Sequence, residues 1–300
     1  MTRIFILLLM LPVLNQGQSG YTGLNAWYHA NTVALAGSGS VISGPSSDQL
    51  NPAAMLPERR SFSIGAILYP ADIRATQLGF VFPRVRSTIA VTVRHLNYGI
   101  FEGYDNQGGS TTTYTSGDTW LSLAYARDFR ETPLRVGLTV GGFFSSLESF
   151  AATALTLTPG LAYVYTPLNI TLGLSLQNSG TVVKNYTSYR APLPRRLVLG
   201  FAKKLAHLPM TICMDYSHYD ETEGQLRLGG IITLSPAIDL RWGTSTDKLD
   251  QVTNMSVQRD FLGSSSLGLA IHYDAFRFSV GSYFYGTGGW IHGLGCDIDF

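Results

Sequence analysis

Charge is scarce in this sequence. Only 14% of its 300 residues are Asp, Glu, Lys or Arg, against about a quarter in soluble domains. The balance is a near-neutral +1, and no basic run could track a phosphate backbone, so nucleic acid is excluded as a partner. Cys213 and Cys296 are the only cysteines. Two thiols make no disulfide framework, and no Cys/His cluster has metal-ligand spacing. Beyond residue 20 no apolar run approaches the roughly 20 residues of a spanning helix, and mean hydropathy is only +0.12. A bundle of membrane helices is excluded.

Chemical motifs are missing as well. No Ser-His-Asp or Cys-His arrangement stands out, and no glycine loop has the phosphate-cradling pattern. The nearest candidate, His218 with Asp220, lies in a Ser-His-Tyr-Asp-Glu run at a strand end and reads as a polar loop. The expectation is a protein with no catalytic site, no metal and no cofactor.

What is present points to one architecture. Glycine is abundant (32 residues), as are Tyr (16) and Phe (15). The chain opens with Arg3, an apolar run over 4–11 and a small polar stretch, the layout of a secretory signal peptide over 1–19. From about residue 60 to 300, short runs alternate apolar with small or polar residues, as in Ile170-Thr171-Leu172-Gly173-Leu174-Ser175-Leu176-Gln177. About fourteen such segments begin near Phe62, Ala75, Ser87, Thr119, Leu134, Leu155, Asn169, Arg195, Pro209, Gln225, Ile238, Ser264, Phe276 and Trp290. Links after even-numbered segments are short. Those after the third, seventh and eleventh are long (99–118, 180–194 and 245–263). Sorting of loops by parity is the layout of an outer-membrane barrel, with short turns periplasmic; a β-sandwich has no reason to sort them. The fold expected is all-β: a closed transmembrane antiparallel barrel of about fourteen strands, with an N-terminal plug-like segment.

Placed on those strands, aromatic residues form two belts. Tyr98, Trp120, Tyr216, Tyr219, Tyr283, Tyr285 and Trp290 fall near the outer ends; Tyr125, Tyr163, Tyr165, Trp242 and Tyr273 fall near the inner ones. Cys213 falls on the lumenal face and Cys296 on the lipid face. The mid-strand Gly229-Gly230 pair suits barrel curvature. Arg135, Asp239, Arg241, Arg277, Asp297 and Asp299 form a candidate lumenal charge cluster, because a charge in lipid is expensive. Residues 20–59 lack strand periodicity and read as a plug or periplasmic segment. Its motif Asn51, Pro52, Ala53 is expected to dock near the charge cluster. The hydroxyl-rich outer loop carrying Tyr104, Thr112, Tyr114 and Asp118 is the candidate partner surface.

Ala34-Leu35-Ala36-Gly37 followed by Asp48-Gln49-Leu50-Asn51-Pro52-Ala53-Ala54-Met55 resembles the opening of the FadL-like and PorV/PorQ outer-membrane families. The stretches 96–108, 176–180 and 193–209 are similar to segments of the PorQ branch, with Ala202 where that branch has Ser. The resemblance implies a component of the type IX secretion and surface-attachment machinery of Bacteroidetes-like bacteria, acting as a membrane anchor through its loops. The implied partners are surface-attachment proteins or exported cargo, the lipid bilayer, and lipopolysaccharide. The other reading is a FadL-like channel for hydrophobic small molecules, which requires an apolar lumenal pocket and a lateral opening. Inward positions rich in Gly, Ser, Thr, Ala and charge lean toward the anchor.

Overall fold

The computed structural model describes residues 21–56, 59–105, 107–129, 132–219, 224–251 and 257–300. The leader expected over 1–19 lies outside them. The wall begins with β1 (Ser61–Leu68), β2 (Arg74–Arg84), β3 (Ser87–Phe101), β4 (Tyr114–Asp128), β5 (Leu134–Leu147) and β6 (Phe150–Tyr165). It continues with β7 (Ile170–Gln177), β8 (Ser179–Lys184), β9 (Arg196–Lys204), β10 (Met210–Tyr219) and β11 (Gln225–Ser235). It ends with β12 (Ile238–Ser245), β13 (Ser265–Tyr273), β14 (Phe276–Phe284) and β15 (Trp290–Asp299). β7 and β8 both pair with β6 and form two halves of one stave, so fifteen segments make fourteen staves. All pairings are antiparallel, and β1 closes on β15 from Ser61↔Asp299 to Leu68↔His292.

Closure removes sheet edges along most of the wall, so ladder N–H and C=O groups are satisfied without water, as hydrocarbon demands. Parity divides the side chains. On β4, Trp120, Ser122, Ala124 and Ala126 are buried inward, while Leu121, Leu123, Tyr125 and Arg127 are exposed. Exposed Leu, Val and Phe repeat around the outer face, where lipid is the favourable medium.

β4 and β6 start about five residues before the sequence pattern does, because the β3–β4 and β5–β6 ladders run on past the apolar band. Alternation ceases to be required there, and a stacked Phe101–Tyr114 pair at 5.4 Å holds the first hairpin instead. Parity also corrects the outer belt. Trp120 and Tyr283 are buried in the lumen and the Tyr98 hydroxyl bonds to a buried carboxylate, whereas Tyr216, Tyr285 and Trp290 are exposed.

Residues 21–55 lie against the inner face of the wall. Two short helices, α1 (Ala30–Ala34) and α2 (Ser47–Leu50), punctuate them. His29 caps α1 by accepting the Asn31 N–H at 3.3 Å. Gly37 and Gly39, at φ +77° and +95°, then reverse the chain.

The wall receives this segment on inward glycines. A Cβ at Gly65 would fall on the Tyr28 carbonyl oxygen, at Gly243 on the Leu35 carbonyl, at Gly229 on the Ser38 hydroxyl and at Gly160 on the Asn51 side chain. The mid-strand glycine at 229 thus makes room for a second layer of backbone. Gly230 points the other way, against the Trp242 indole.

Candidate functional site

Polar anchors fix the inner segment within this glycine bed. Arg94 is fully buried on β3, and its Nη2 reaches Asp48 Oδ1 at 2.6 Å. Gln77 and Ser122 take two more of its N–H groups, and Trp120 stacks 4.9 Å from the guanidinium. Across the lumen Asp215 accepts from both the backbone and the hydroxyl of Ser40, each at 2.8 Å. Asn51 caps the turn over Pro52–Ala54 and donates to the Leu161 carbonyl at 3.2 Å. Such partners are what an otherwise costly buried charge requires.

The segment separates two cavities. The outer one measures about 620 Å³ and is lined by Trp27, Tyr69, Ile73, Leu96, Tyr98, Tyr283, Tyr285 and Ile291, with Gln225, Arg227 and Asp247 along one side. Trp27 meets the Tyr283 ring edge-on at 5.0 Å. The hydroxyls of Tyr69, Tyr98 and Tyr283 are turned into the protein. Tyr69 donates to the Trp27 carbonyl at 2.9 Å and accepts its N–H at 2.7 Å. Burial pushes that phenol above its ordinary value, so it stays neutral. Tyr98 donates to Asp118 at 2.7 Å, and Tyr283 bonds to Ser264. With these three hydroxyls engaged, their rings present carbon to the cavity. The arrangement can hold an apolar molecule by edge and face contacts.

The inner cavity, about 440 Å³, is the more polar of the two. Asp48, Arg59, Arg277, Asp297 and Asp299 line it alongside Met55, Leu56 and Val81. Five of the six expected lumenal charges gather on this side. Asp297 lies 3.3 Å from His29 and 3.8 Å from Arg277, which is 3.8 Å from Asp299. Asp239 pairs with His272 at 2.9 Å and Arg241 at 3.9 Å, and Arg241 also donates to Asn31.

Arg135 stands apart from these, on β5, donating to the Met55 carbonyl at 2.9 Å. Asn51, Pro52 and Ala53 sit with it, over Gly137 and Gly160. The rest of the cluster meets the segment through His29 and Asn31 instead. The segment crosses the lumen and returns: Tyr21 and Leu24 pack on Trp120 and Phe143, α1 lies on β13–β15, and Met55 comes back to Arg135 on the first wall.

The expected partner loop divides too. Tyr104 and Thr112 are exposed, with Tyr104 bridging to Ser110 and donating to Glu102. Tyr114 opens β4. Asp118 leaves the loop altogether: it is buried in the lumen, accepting from Gly23 N–H, Tyr98 and Ser145. β4 begins before it, and parity turns it inward. His218 is exposed on β10, and Asp220 lies outside the described residues. Cys213 is buried beneath Ser38, and Cys296 is a partly exposed residue of the outer face.

Sequence reasoning missed Trp27, Tyr69 and Arg94. An aromatic Trp27-Tyr28 pair in a non-periodic stretch, and a lone Arg after Val91-Thr92-Val93, were the available signals.

The wall has one interruption. β6 pairs Gly160 with Ser175 but Leu157 with Ser179, so Asn178 is a one-residue bulge at φ +55°. Past it β8 pairs only with β6, because β9 begins at Arg196 opposite Gln177. Asn178 turns inward and donates to Asn25 Oδ1 at 2.9 Å and Pro194 O at 3.2 Å. Leu193 and Tyr186 fold in against Tyr21, Trp120 and Phe143 beside this gap.

No protein-family model matches the chain, and no curated protein matches it. Solved structures do. The toluene transporter TodX of P. putida aligns with a TM-score of 0.59 at 12% identity, over 91% of this chain and 98% of that one. A Pseudomonas aeruginosa FadL homologue gives 0.59 at 10%, over 91% and 98%. The ΔS2S3 mutant of the TodX monoaromatic hydrocarbon channel gives 0.61 at 13%, over 91% and 99%. The likeness is one of fold. Of the families the sequence resembles, the FadL-like architecture is the one these structures display.

Proposed function

We propose that this barrel resides in the outer membrane and admits small hydrophobic molecules, monoaromatic compounds among them. The observation that carries the reading is the aromatic-lined cavity of about 620 Å³ above the inner segment. It supplies the apolar pocket that this function requires, and the unpaired edge of β8, covered from the lumen by Tyr186 and Leu193, is where a lateral way out would open once those side chains move. The shared fold with TodX, itself a toluene transporter, adds support. A lateral exit suits an apolar solute, which gains by leaving into lipid rather than crossing the more polar inner cavity. The test is binding and uptake together: toluene titrated onto the purified chain by calorimetry, and labelled toluene accumulated by cells with and without the gene. Absence of both binding and an uptake difference would sink the proposal.

A second reading keeps the chain as an anchor for type IX secretion and surface attachment. It is favoured by the β3–β4 hairpin, whose exposed Ile100, Phe101 and Tyr104 stand beyond the apolar band. Affinity purification from mildly solubilised membranes tests it. Capture of a surface or cargo protein that is lost on deleting residues 102–113 supports the anchor; recovery of the chain alone removes it.

A further inference from the structure

The outer face of the wall carries one pair of arginines in a single row. Arg84 on β2 lies directly opposite Ser87 on β3, and Ser87 lies opposite Arg127 on β4. Alternation points all three outward. Strands are about 4.8 Å apart, so the two arginine backbones stand roughly 10 Å apart with a hydroxyl between them. Both side chains can converge on one group over Ser87. Arg86, exposed in the adjoining turn, adds a third cation, and Arg127 leans over the Phe129 ring at 5.7 Å.

The next rows toward mid-wall are apolar: Phe82, Ile89 and Tyr125, then Phe80, Val91 and Leu123. Five of these six are at least 38% exposed, so this surface is uncovered by protein. Other outward cations of the described strands stand singly. Arg74 lies between Leu68 and Asn97, and Lys203 between Ile170 and Ile212.

We infer that Arg84, Ser87 and Arg127 form a headgroup site for an anionic phospholipid of the inner leaflet, its acyl chains lying along the two apolar rows. The chemistry matches at each level. Guanidinium forks grip phosphate oxygens bidentately, the serine hydroxyl donates between them, and aromatic and branched side chains meet the glycerol region and chains. The row lies at the short-turn end, which faces the periplasmic leaflet if the barrel sits as short turns dictate. The inference rests on that placement in the bilayer and is independent of what the channel carries.

The test uses the full chain reconstituted in nanodiscs holding equal phosphatidylglycerol and phosphatidylcholine, released and weighed by native mass spectrometry. Retained phosphatidylglycerol should exceed phosphatidylcholine by about tenfold. Arg84→Gln/Arg127→Gln should abolish the preference, Arg84→Lys/Arg127→Lys should keep only part of it, and Arg74→Gln should leave it intact. Retained folding of each variant is checked by its heat-dependent shift on gels. No preference in the parent, an equal preference in the double Gln variant, or displacement by lipopolysaccharide but not by phosphatidylglycerol would each overturn the assignment. The toluene experiment can fail without touching any of these outcomes.

Discussion

Replacing Asp48 by Ala removes the carboxylate that Arg94 Nη2 holds at 2.6 Å and leaves a guanidinium with no solvent exposure at all. Breaking a buried pair from one side costs 3–5 kcal/mol. Here Gln77, Ser122 and the Trp120 ring still serve the arginine, which places the cost near the low end, about 3 kcal/mol. The wall ladders do not involve Asp48, so the loss falls on the seating of residues 28–55 rather than on the barrel. At 1.36 kcal/mol per decade, 3 kcal/mol raises the opening of that segment by roughly 150-fold. Hydrogen exchange followed by mass spectrometry reads this directly, as faster exchange of amides in 28–55 with wall amides unchanged. The double variant Asp48→Ala/Arg94→Met should regain most of the protection, because a neutral pair strands no charge. Exchange in the single variant within about threefold of the parent would refute the latch.

Four further outcomes follow from the same packing. Trp27→Ala should weaken toluene binding by about tenfold in calorimetry, since it removes one ring of the outer cavity and its edge contact with Tyr283. Gly137→Ala should destabilise by about 1–3 kcal/mol in denaturant titration, because its Cβ would meet the Pro52–Ala53 backbone. Gly142→Ala, whose nearest neighbour is the movable Phe144 ring at 3.2 Å, should change stability by less than about 1 kcal/mol in the same titration. Asn178→Val puts a β-branched residue at φ +55° and removes the links to Asn25 and Pro194; limited proteolysis should then cut residues 185–195 at least several-fold faster than in the parent.

Strand positions were legible because lipid outside and a packed lumen inside impose a strict period of two. Start points at Ser87, Leu134, Gln225, Ile238, Phe276 and Trp290 coincide with the ladders. The period fades where strands leave the apolar band, which is why Tyr114 and Phe150 went unmarked as beginnings. It also cannot say what an inward residue faces. Arg135 and Arg277 look alike as inward arginines near turns, yet one holds a carbonyl of the inner segment and the other a pair of carboxylates. The site escaped for the same reason. Trp27 and Asp48 lie in a stretch without periodicity, and their partners on β14 and β3 are set by how far the segment reaches across the lumen.

The glycine bed has a consequence for how the molecule comes together. α1 rests on β13, β14 and β15 as well as β1, on both sides of the seam where the chain's first and last strands meet. The Ser266 hydroxyl donates to the Ala34 carbonyl from 232 residues further along the chain. A barrel closed without the N-terminal segment would enclose an unfilled lumen in which Arg94 lacks its carboxylate and Asp215 its Ser40 donors. Whichever comes first, seating of the N-terminal residues and sealing of the seam stabilise each other, so a defect in either should loosen both.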